Sequence, residues 1–256
     1  MSRRLGQHWL ANAETTARIV RALAVRPAES ILEIGGGRGA LTEHLVQTDA
    51  NLTVVELDEA CAEILDDRFG QRIELVQADI LEVQLSTLGP GPWAVVGNLP
   101  YEATAPIMLW LSAHAPVLSR AVVMIQREVA QRLVAPPGNA ARGRLTVTME
   151  LDFQVARLFD VPPRDFRPPP KVDSTVIGLV PHIAAPVAEE ERAWLLKVVE
   201  CAFRYRRKTL VRALSSELAT RDEVEAALAA AEIEPTLRPE SLSLAQWAKL
   251  SAVLQP

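Results

Sequence analysis

The 256-residue chain is poor in the residues that build disulfide and metal sites. Its two cysteines, Cys61 and Cys201, lie far apart in the sequence. This excludes a disulfide framework and predicts buried thiols in a reducing compartment. The four histidines show no ligand spacing, so we predict no metal site.

The chain also lacks the long apolar runs of membrane proteins and an excess of positive charge. No uninterrupted apolar run is long enough to span a bilayer, and residues 1–4 are followed by no apolar leader segment. We therefore expect no targeting signal and a cytoplasmic protein. The formal net charge is −5 and the pI is near 5.5. Binding to RNA would then require a local cationic cluster, since phosphate binding depends on local rather than overall charge.

Apolar β runs alternate with helical patterns through the first half of the chain, which predicts a mostly parallel sheet. Two later β runs cover residues 151–155 and 175–180. Residues 181–188 have the composition of a linker, and helical periodicity follows them. We therefore expect an α/β catalytic domain over residues 1–184 and a small all-helical domain over residues 185–256.

A glycine-rich turn follows the apolar strand at residues 31–34. Such a turn lets a nucleotide-like ligand approach the backbone closely, and it also fits the fingerprint of nicotinamide enzymes. Glu33 helps to decide between the two cofactors. A carboxylate just before the turn would repel a pyrophosphate, but it suits the ammonium and sulfonium groups of S-adenosylmethionine. We therefore predict S-adenosylmethionine as the cofactor, bound near Glu33, Gly35 and Gly37.

Three more polar residues each follow a separate β run. Glu56 comes about 20 positions after Gly35, the separation typical of an acid that binds ribose hydroxyls. Asp79 is placed to accept a hydrogen bond from the cofactor's adenine amine, and Asn98 ends the next run. Because parallel strands end at a shared edge of a doubly wound sheet, we expect these residues to converge there.

A four-residue motif at that edge is suited to methylating an exocyclic amine such as that of adenine: Asn98, Leu99, Pro100 and Tyr101. Such an amine is a weak nucleophile until acceptors hold its two hydrogens and leave the lone pair facing an electrophile. Asn98 supplies one acceptor, and Leu99, pushed out of the α region by the following proline, can supply its carbonyl. Tyr101 would stack on the base. Catalysis would then rest on positioning rather than on a covalent intermediate.

A cationic cluster lies near the carboxyl terminus and consists of Arg204, Arg206, Arg207, Lys208 and Arg212. The spacing of Arg204, Arg207 and Lys208 predicts a shared helix face. Three acids at residues 189–191 are expected in the first turn of the same helix. We expect a salt-sensitive RNA-binding surface here, extended by Arg142, Arg144, Arg167 and Lys171. A simple solvated helix face is the alternative interpretation.

Taken together, these motifs resemble the ribosomal RNA adenine dimethyltransferases, and within them the small-subunit type whose loss gives kasugamycin resistance. Residues 6–10 are similar to the family's amino-terminal Gly-Gln-Asn-Phe-Leu, and residues 98–101 are identical to its catalytic tetrad. Residues 126–135 look like the helix after the next strand. Residues 166–174 and 202–209 resemble two late motifs that few other methyltransferases carry.

The resemblance implies a Rossmann-like class I methyltransferase that dimethylates two adjacent adenosines in a hairpin near the 3′ end of small-subunit rRNA. It implies that the protein acts as a monomer during late assembly of the small ribosomal subunit. The target base would be held by Asn98, Leu99 and Tyr101. Phe166 would stack on its other face, carried to the mouth of the site by the prolines around it. The resemblance places these residues at the cofactor: His8, Leu10, Gly35, Glu56, Asp79 and Asn98.

Two alternatives stay open at this point. One is a ribosome-assembly factor that kept the fold and lost activity, although the intact motifs at Asn98, Gly35 and Glu56 argue against it. The other is a methyltransferase with a different substrate, either large-subunit rRNA, which would confer macrolide resistance, or a small amine. The late motifs around Phe166 and Arg206 oppose a small molecule.

Overall fold

The computed structural model describes residues 8–255, and these form two compact units. Gly6 and Gln7 of the amino-terminal motif lie outside the described residues. Of the described residues, the first unit comprises residues 8–130 together with Val155–Pro181, and the second comprises Gln131–Gln154 and residues 182–255. The expected division after residue 184 therefore differs from the observed one, because Gln131–Gln154 belongs with the carboxyl-terminal helices.

A seven-stranded sheet organises the first unit, and a two-stranded antiparallel sheet of β1 and β8 lies apart from it. The strands are β1 (Trp9–Leu10), β2 (Ser30–Ile34), β3 (Asn51–Glu56), β4 (Glu74–Gln77), β5 (Trp93–Asn98), β6 (Leu118–Gln126), β7 (Phe153–Val161), β8 (Phe166–Arg167) and β9 (Ser174–Pro181). The order in the large sheet is β4-β3-β2-β5-β6-β9-β7. Strands β2 to β6 pair in parallel and β9 runs antiparallel to β6. The predicted mostly parallel sheet is thus confirmed.

The central strands are continuous apolar runs because both of their faces are covered. Ile31 and Leu32 on β2, and Val95 and Val96 on β5, are fully buried. Residues of alternating orientation along one strand would not all be buried if one face met water. Burial on both faces therefore explains why these strands lack the alternating pattern of a half-exposed sheet.

The two longest helices of the first unit, α1 and α3, each begin at a side-chain cap. Helix α1 starts after Asn12, whose side chain accepts hydrogen bonds from the next turn, and α3 starts after Asp58 in the same way. The helix that follows the glycine turn is a single turn, α2. The helices are α1 (Ala13–Leu23), α2 (Thr42–Leu45), α3 (Glu59–Phe69), α4 (Leu85–Leu88), α5 (Thr104–Ala113) and α6 (Arg127–Leu133), the last of which runs into the second unit.

The second unit is helical and surrounds its own apolar core, which includes Val147, Leu195, Val198, Trp247 and Leu250. Ser243 and Gln246 form a capping box at the start of the last helix. The β run expected at residues 151–155 was wrong at its start, because the first two of those residues end α7 and β7 begins at Phe153. The helices are α7 (Arg144–Asp152), α8 (Glu189–Arg204), α9 (Leu210–Leu214), α10 (Arg221–Ala230) and α11 (Leu244–Val253).

Arg142 is fully buried in this unit, which corrects its expected place on an RNA-binding surface. Its Nη1 and Nη2 atoms lie 2.6 and 2.5 Å from the two carboxylate oxygens of Glu150. The same guanidinium donates to the backbone oxygens of Leu242 and Ala135, at 3.1 and 3.0 Å. A buried charge with this many partners holds chain segments together and is not available to a ligand.

Replacing Arg142 with Met should destabilise the protein by about 3 kcal/mol, because Glu150 and two carbonyl groups lose their buried partner. Urea denaturation followed by circular dichroism measures the change. The matched control is Arg221→Met, which removes an exposed arginine whose Nε atom lies 2.8 Å from Oε1 of Glu225, and it should leave stability almost unchanged. Equal effects of the two substitutions would contradict the structural role of Arg142.

Candidate active site

A cavity of about 1040 Å³ lies where the parallel strands end, as the sheet topology predicts. Its wall brings together residues that are up to 158 positions apart in the chain, from His8 to Phe166. Every residue predicted from the sequence to bind cofactor or the target base lines it: His8, Leu10, Glu33, Gly35, Gly37, Glu56, Asp79, Asn98, Leu99, Pro100, Tyr101 and Phe166. The roles assigned to these residues stay predictions.

The glycine turn after β2 is held in place by the carboxylate of Glu56. One carboxylate oxygen accepts from the backbone N–H of Gly37 and the other from that of Asp58, both at 2.8 Å. Gly37 has a φ of +56°, and a Cβ there would lie 2.5 Å from the ring of Trp9. Glycine is therefore required at this position by both conformation and space. Glu56 thus shapes the turn, in addition to its predicted contact with ribose.

Glu33 lies beneath the turn and is 1% exposed. The hydroxyl of Thr42 donates to its Oε2 atom at 2.7 Å. Burial raises the pKa of Glu33 to about 7, against the lowering effect of the Thr42 hydroxyl, and the charge of Glu56 adds to the rise. This carboxyl group can therefore change its charge near neutral pH, and a cation in the cavity would favour the ionised form.

The motif after β5 presents its polar groups to the cavity. The side-chain amide of Asn98 donates to the backbone oxygen of His8 at 3.3 Å. This orientation leaves Oδ1 of Asn98 as the acceptor end of the side chain. The N–H of Leu99 donates to the backbone oxygen of Met124 at 3.0 Å, and Pro100 is extended. These bonds fix the backbone of the motif against the neighbouring strand β6.

Tyr101 is held by a residue that sequence reasoning missed. Its hydroxyl lies 2.9 Å from Oγ of Ser174, which is fully buried at the start of β9. Burial raises the pKa of the Tyr101 hydroxyl, so this group stays protonated at neutral pH. Ser174 ends the proline-rich motif noted in the sequence, but only the pairing of β9 with β6 brings it near Tyr101. The centroid of the His8 ring lies 5.9 Å from that of Tyr101 on the cavity side.

Phe166 was expected at the exposed mouth of the site, but its side chain is only 1% exposed. It pairs with Leu10 in the small sheet of β1 and β8, where Trp9 pairs with Arg167. Nδ1 of His8 lies 2.9 Å from the backbone oxygen of Pro168. The proline-rich segment therefore anchors the amino-terminal motif against the cavity, and the stacking role of Phe166 stays a prediction.

Apart from Arg142, the predicted RNA-binding cations are exposed, but they do not share one helix face. Helix α8 ends at Arg204, so Arg207 and Lys208 lie in the following turn and the expected helical spacing was wrong. The acids at the start of α8 are in its first turn, as predicted. Several of the cations have partners: Arg204 contacts Glu217 at 2.5 Å, Arg144 contacts Glu200 at 3.3 Å, and Arg206 donates to the backbone of Ala140. Lys171 is exposed in the first unit.

Cys61 and Cys201 are free and buried, as predicted. Burial raises the pKa of Cys61 to about 12, so its thiol is unreactive at neutral pH. Residues 8–255 contain no cluster of histidine, cysteine or acidic side chains able to hold a metal ion. Within the same range, no helix has the length and apolar character needed to cross a membrane.

The parallel sheet, the glycine turn and the acidic residues at its carboxyl edge define a class I S-adenosylmethionine-dependent methyltransferase. Two solved structures share this fold. One is the 23S rRNA methyltransferase ErmE, with a TM-score of 0.74 and 30% identity, covering 97% of this chain and 100% of that one. The other is a dimethyladenosine transferase from Plasmodium falciparum, with a TM-score of 0.78 and 23% identity, covering 95% and 96% of the two chains.

The chain belongs to the ribosomal RNA adenine dimethylase family, whose model matches residues 1–255. It is 41% identical over 253 residues to the ribosomal RNA small subunit methyltransferase A of Pseudomonas aeruginosa, covering 97% of this chain and 92% of that protein. The protein of the same name from Thermosynechococcus vestitus is 38% identical over 259 residues, covering 99% and 96%. The resemblance drawn from the motifs is thus confirmed.

The raised pKa of Glu33 predicts a specific dependence of stability on pH. The ordinary value is 4.5 and the folded value is about 7. The folded state therefore binds the proton more tightly, and the resulting stabilisation is complete below pH 4.5 and is lost as pH rises to 7. Relative to Glu33→Gln, the free energy of unfolding should fall by about 3 kcal/mol over this interval.

Urea denaturation at a series of pH values measures this difference. Glu63→Gln is the control, because it removes an exposed acid from α3 and should leave the pH dependence of the original protein unchanged. If the curves for the original protein and Glu33→Gln ran parallel from pH 4.5 to 7, the assigned environment of Glu33 would be wrong.

Proposed function

We propose that this protein transfers methyl groups from S-adenosylmethionine to the exocyclic amines of two adjacent adenosines in the 3′-terminal hairpin of small-subunit rRNA, late in ribosome assembly. The observation that carries the proposal is the position of Asn98, whose amide is oriented by His8 at the edge of a cavity that also contains the glycine turn. Identities of 38% to 41% with proteins named small subunit methyltransferase A support the choice of substrate.

The cofactor fits the residues that line the cavity. When bound, S-adenosylmethionine supplies an electrophilic methyl group on a sulfonium. Glu33 and Glu56 are buried carboxyl groups, of the sign that suits its ammonium and sulfonium charges. Asp79 would accept from its adenine amine, and Gly35 and Gly37 allow its close approach to the backbone.

The target adenine would be rotated out of its helix, as enzymes that modify bases require. Oδ1 of Asn98 and the carbonyl of Leu99 would each accept one hydrogen of the amine, so that its lone pair faces the methyl group. Tyr101, fixed by Ser174, would stack on the base. These groups act by orientation, which is worth most when they are rigid before substrate arrives.

We further propose that the protein acts as a monomer in the cytoplasm, with the small ribosomal subunit as its partner. A large-subunit target is the alternative, because ErmE is 30% identical and shares the fold. The higher identity to the small-subunit enzymes and the motif around Phe166 favour the small subunit. A non-catalytic assembly factor is opposed by the intact motif at Asn98.

Transfer of labelled methyl groups distinguishes these possibilities. Unmethylated small subunits, large subunits and free adenosine are incubated with the protein, and the modified nucleotides are identified. We expect dimethyladenosine only in small-subunit rRNA. Label in the large subunit would support the alternative target, and cofactor binding without any transfer would support an assembly factor.

Asn98→Ala should abolish methyl transfer, because the amine loses an acceptor that orients its lone pair. Affinity for S-adenosylmethionine should stay within about tenfold, since the residue acts mainly on the reacting amine. Methyl transfer to small subunits and calorimetric titration with the cofactor measure the two quantities. The control is Asn51→Ala, which removes an exposed amide that also donates to one backbone oxygen, and it should retain full activity. Near-normal turnover of Asn98→Ala would refute the assigned role.

Replacing Arg206, Arg207 and Lys208 together with Gln should weaken binding to small subunits and flatten its dependence on salt. Each lost phosphate contact lowers the slope of log K against log salt by roughly 0.7 to 0.9. Binding at a series of salt concentrations gives this slope. The control replaces Arg221, Arg238 and Lys249, three exposed cations of the second unit, with Gln. An unchanged slope in the first variant would place the RNA-binding surface elsewhere.

A further inference from the structure

A second cavity, of about 340 Å³, lies beside the candidate active site in the first unit. It shares Trp9, Leu10, Arg38 and Ala40 with the larger cavity. We call it the arginine groove and define it by these lining residues: Trp9, Arg38, Glu43, His44, Arg68 and Arg167. None of these six residues is among those proposed to orient the reacting amine.

The two neighbouring cavities have opposite charge. The arginine groove is lined by three arginines and one carboxylate, that of Glu43, which lies 3.0 Å from Arg68. The larger cavity is lined by one arginine, Arg38, and by six carboxyl groups, those of Glu33, Glu56, Asp58, Glu59, Asp79 and Glu102. Arg38 is common to both and lies on the boundary between them.

This division matches the charges of the two reactants. The cofactor carries positive charge on its sulfonium and ammonium groups, so the acidic cavity attracts it and the arginine groove does not. A nucleotide has an uncharged base and an anionic phosphate. The acidic cavity can therefore admit the target base, but it repels the phosphates on either side. Those phosphates need a cationic surface close to the cavity mouth.

The residues around Trp9 place arginine side chains beside an aromatic ring, as a phosphate-binding surface next to a base requires. The guanidinium carbon of Arg38 lies 5.4 Å from the centroid of the Trp9 ring. Arg167 pairs with Trp9 across the two small strands, and Arg68 donates to the backbone oxygen of Arg38. All three arginines are exposed. Guanidinium groups beside an aromatic ring form a common surface for nucleic-acid backbone, because arginine binds phosphate and the ring stacks.

We propose that the arginine groove binds the RNA phosphodiester backbone next to the target adenosine, with Trp9 between the bound phosphate and the base in the acidic cavity. This proposal rests on the RNA substrate proposed above. It adds a phosphate subsite in the first unit to the cationic turn of the second unit. The subsite would fix the strand while the base is turned into the cavity.

The test measures binding of the full chain to a labelled hairpin RNA with two adjacent adenosines in its loop. Arg68→Gln and Arg167→Gln should each weaken binding by about fivefold and lower the salt slope by roughly one phosphate contact. Arg68→Lys and Arg167→Lys keep the charge and should restore most of the affinity. The matched control is Arg21→Gln, which removes an exposed arginine of α1 outside the groove.

A second comparison identifies the phosphate. Replacing the phosphates that flank the target adenosine with uncharged methylphosphonates should weaken RNA binding by the original protein. The same replacement should have little effect on RNA binding by Arg167→Gln, because this variant has already lost the contact. The proposal would be overturned if the methylphosphonates lowered the RNA affinity of the original protein and of Arg167→Gln by equal factors. It would also be overturned if both Gln variants bound the unmodified hairpin with normal affinity. Arg68 also donates to the backbone oxygen of Arg38, so its loss could disturb the cofactor site, and cofactor affinity is therefore measured for each variant. If Arg68→Gln has a lower cofactor affinity, the test depends on the RNA affinity of Arg167→Gln alone.

Methyl transfer by the original protein separates this proposal from the one on which it rests. If the original protein methylates small subunits but the Gln variants bind the hairpin normally, only the arginine groove is refuted. If the original protein methylates no RNA, the proposed function itself fails, whatever the variants bind.

Discussion

The carboxylate of Glu56 joins two backbone segments at the edge of the sheet, and the shape of the active-site cavity depends on this contact. It accepts one hydrogen bond from the turn after β2, at Gly37, and one from the segment after β3, at Asp58. A buried carboxylate needs such donors, because an unpaired one would cost several kcal/mol. The bonds also keep the turn open before any ligand is bound, so little ordering is needed on binding. The ring of Trp9 packs against Gly37 and so also limits the conformation of the turn.

The distribution of charge follows from this arrangement and explains how an acidic protein can act on RNA. Acidic residues line the larger cavity, and arginines line the groove beside it and the turn after α8. The net charge of −5 therefore describes neither the acidic cavity nor the cationic surfaces. Glu33 is the extreme case, since its burial brings the pKa to about 7 and makes its charge depend on the ligand. Electrostatic steering of the strand would come from local fields rather than from the whole chain.

Sequence patterns predicted the convergence of the site well, because convergence follows from the order of the strands and from the rule that parallel strands end at one edge. Gly35, Glu56, Asp79 and Asn98 line one cavity for that reason. The same patterns failed where an outcome depended on a distant partner. Arg142 looked like a surface cation but is enclosed by the second unit, where Glu150 and backbone oxygens pair with it. The helical spacing beyond Arg204 suggested a face that the end of α8 abolishes.

The sequence by itself determined the alternation of strands and helices, the family motifs and the set of polar residues at the sheet edge. These features follow from local periodicity and from residue chemistry, which act over a few positions. Only the tertiary structure decided which charges are buried, which are paired, and that Ser174 holds Tyr101. The physical reason is that burial and pairing arise from contacts between segments far apart in the chain, so a side chain's charge, reach and freedom depend on what packs around it.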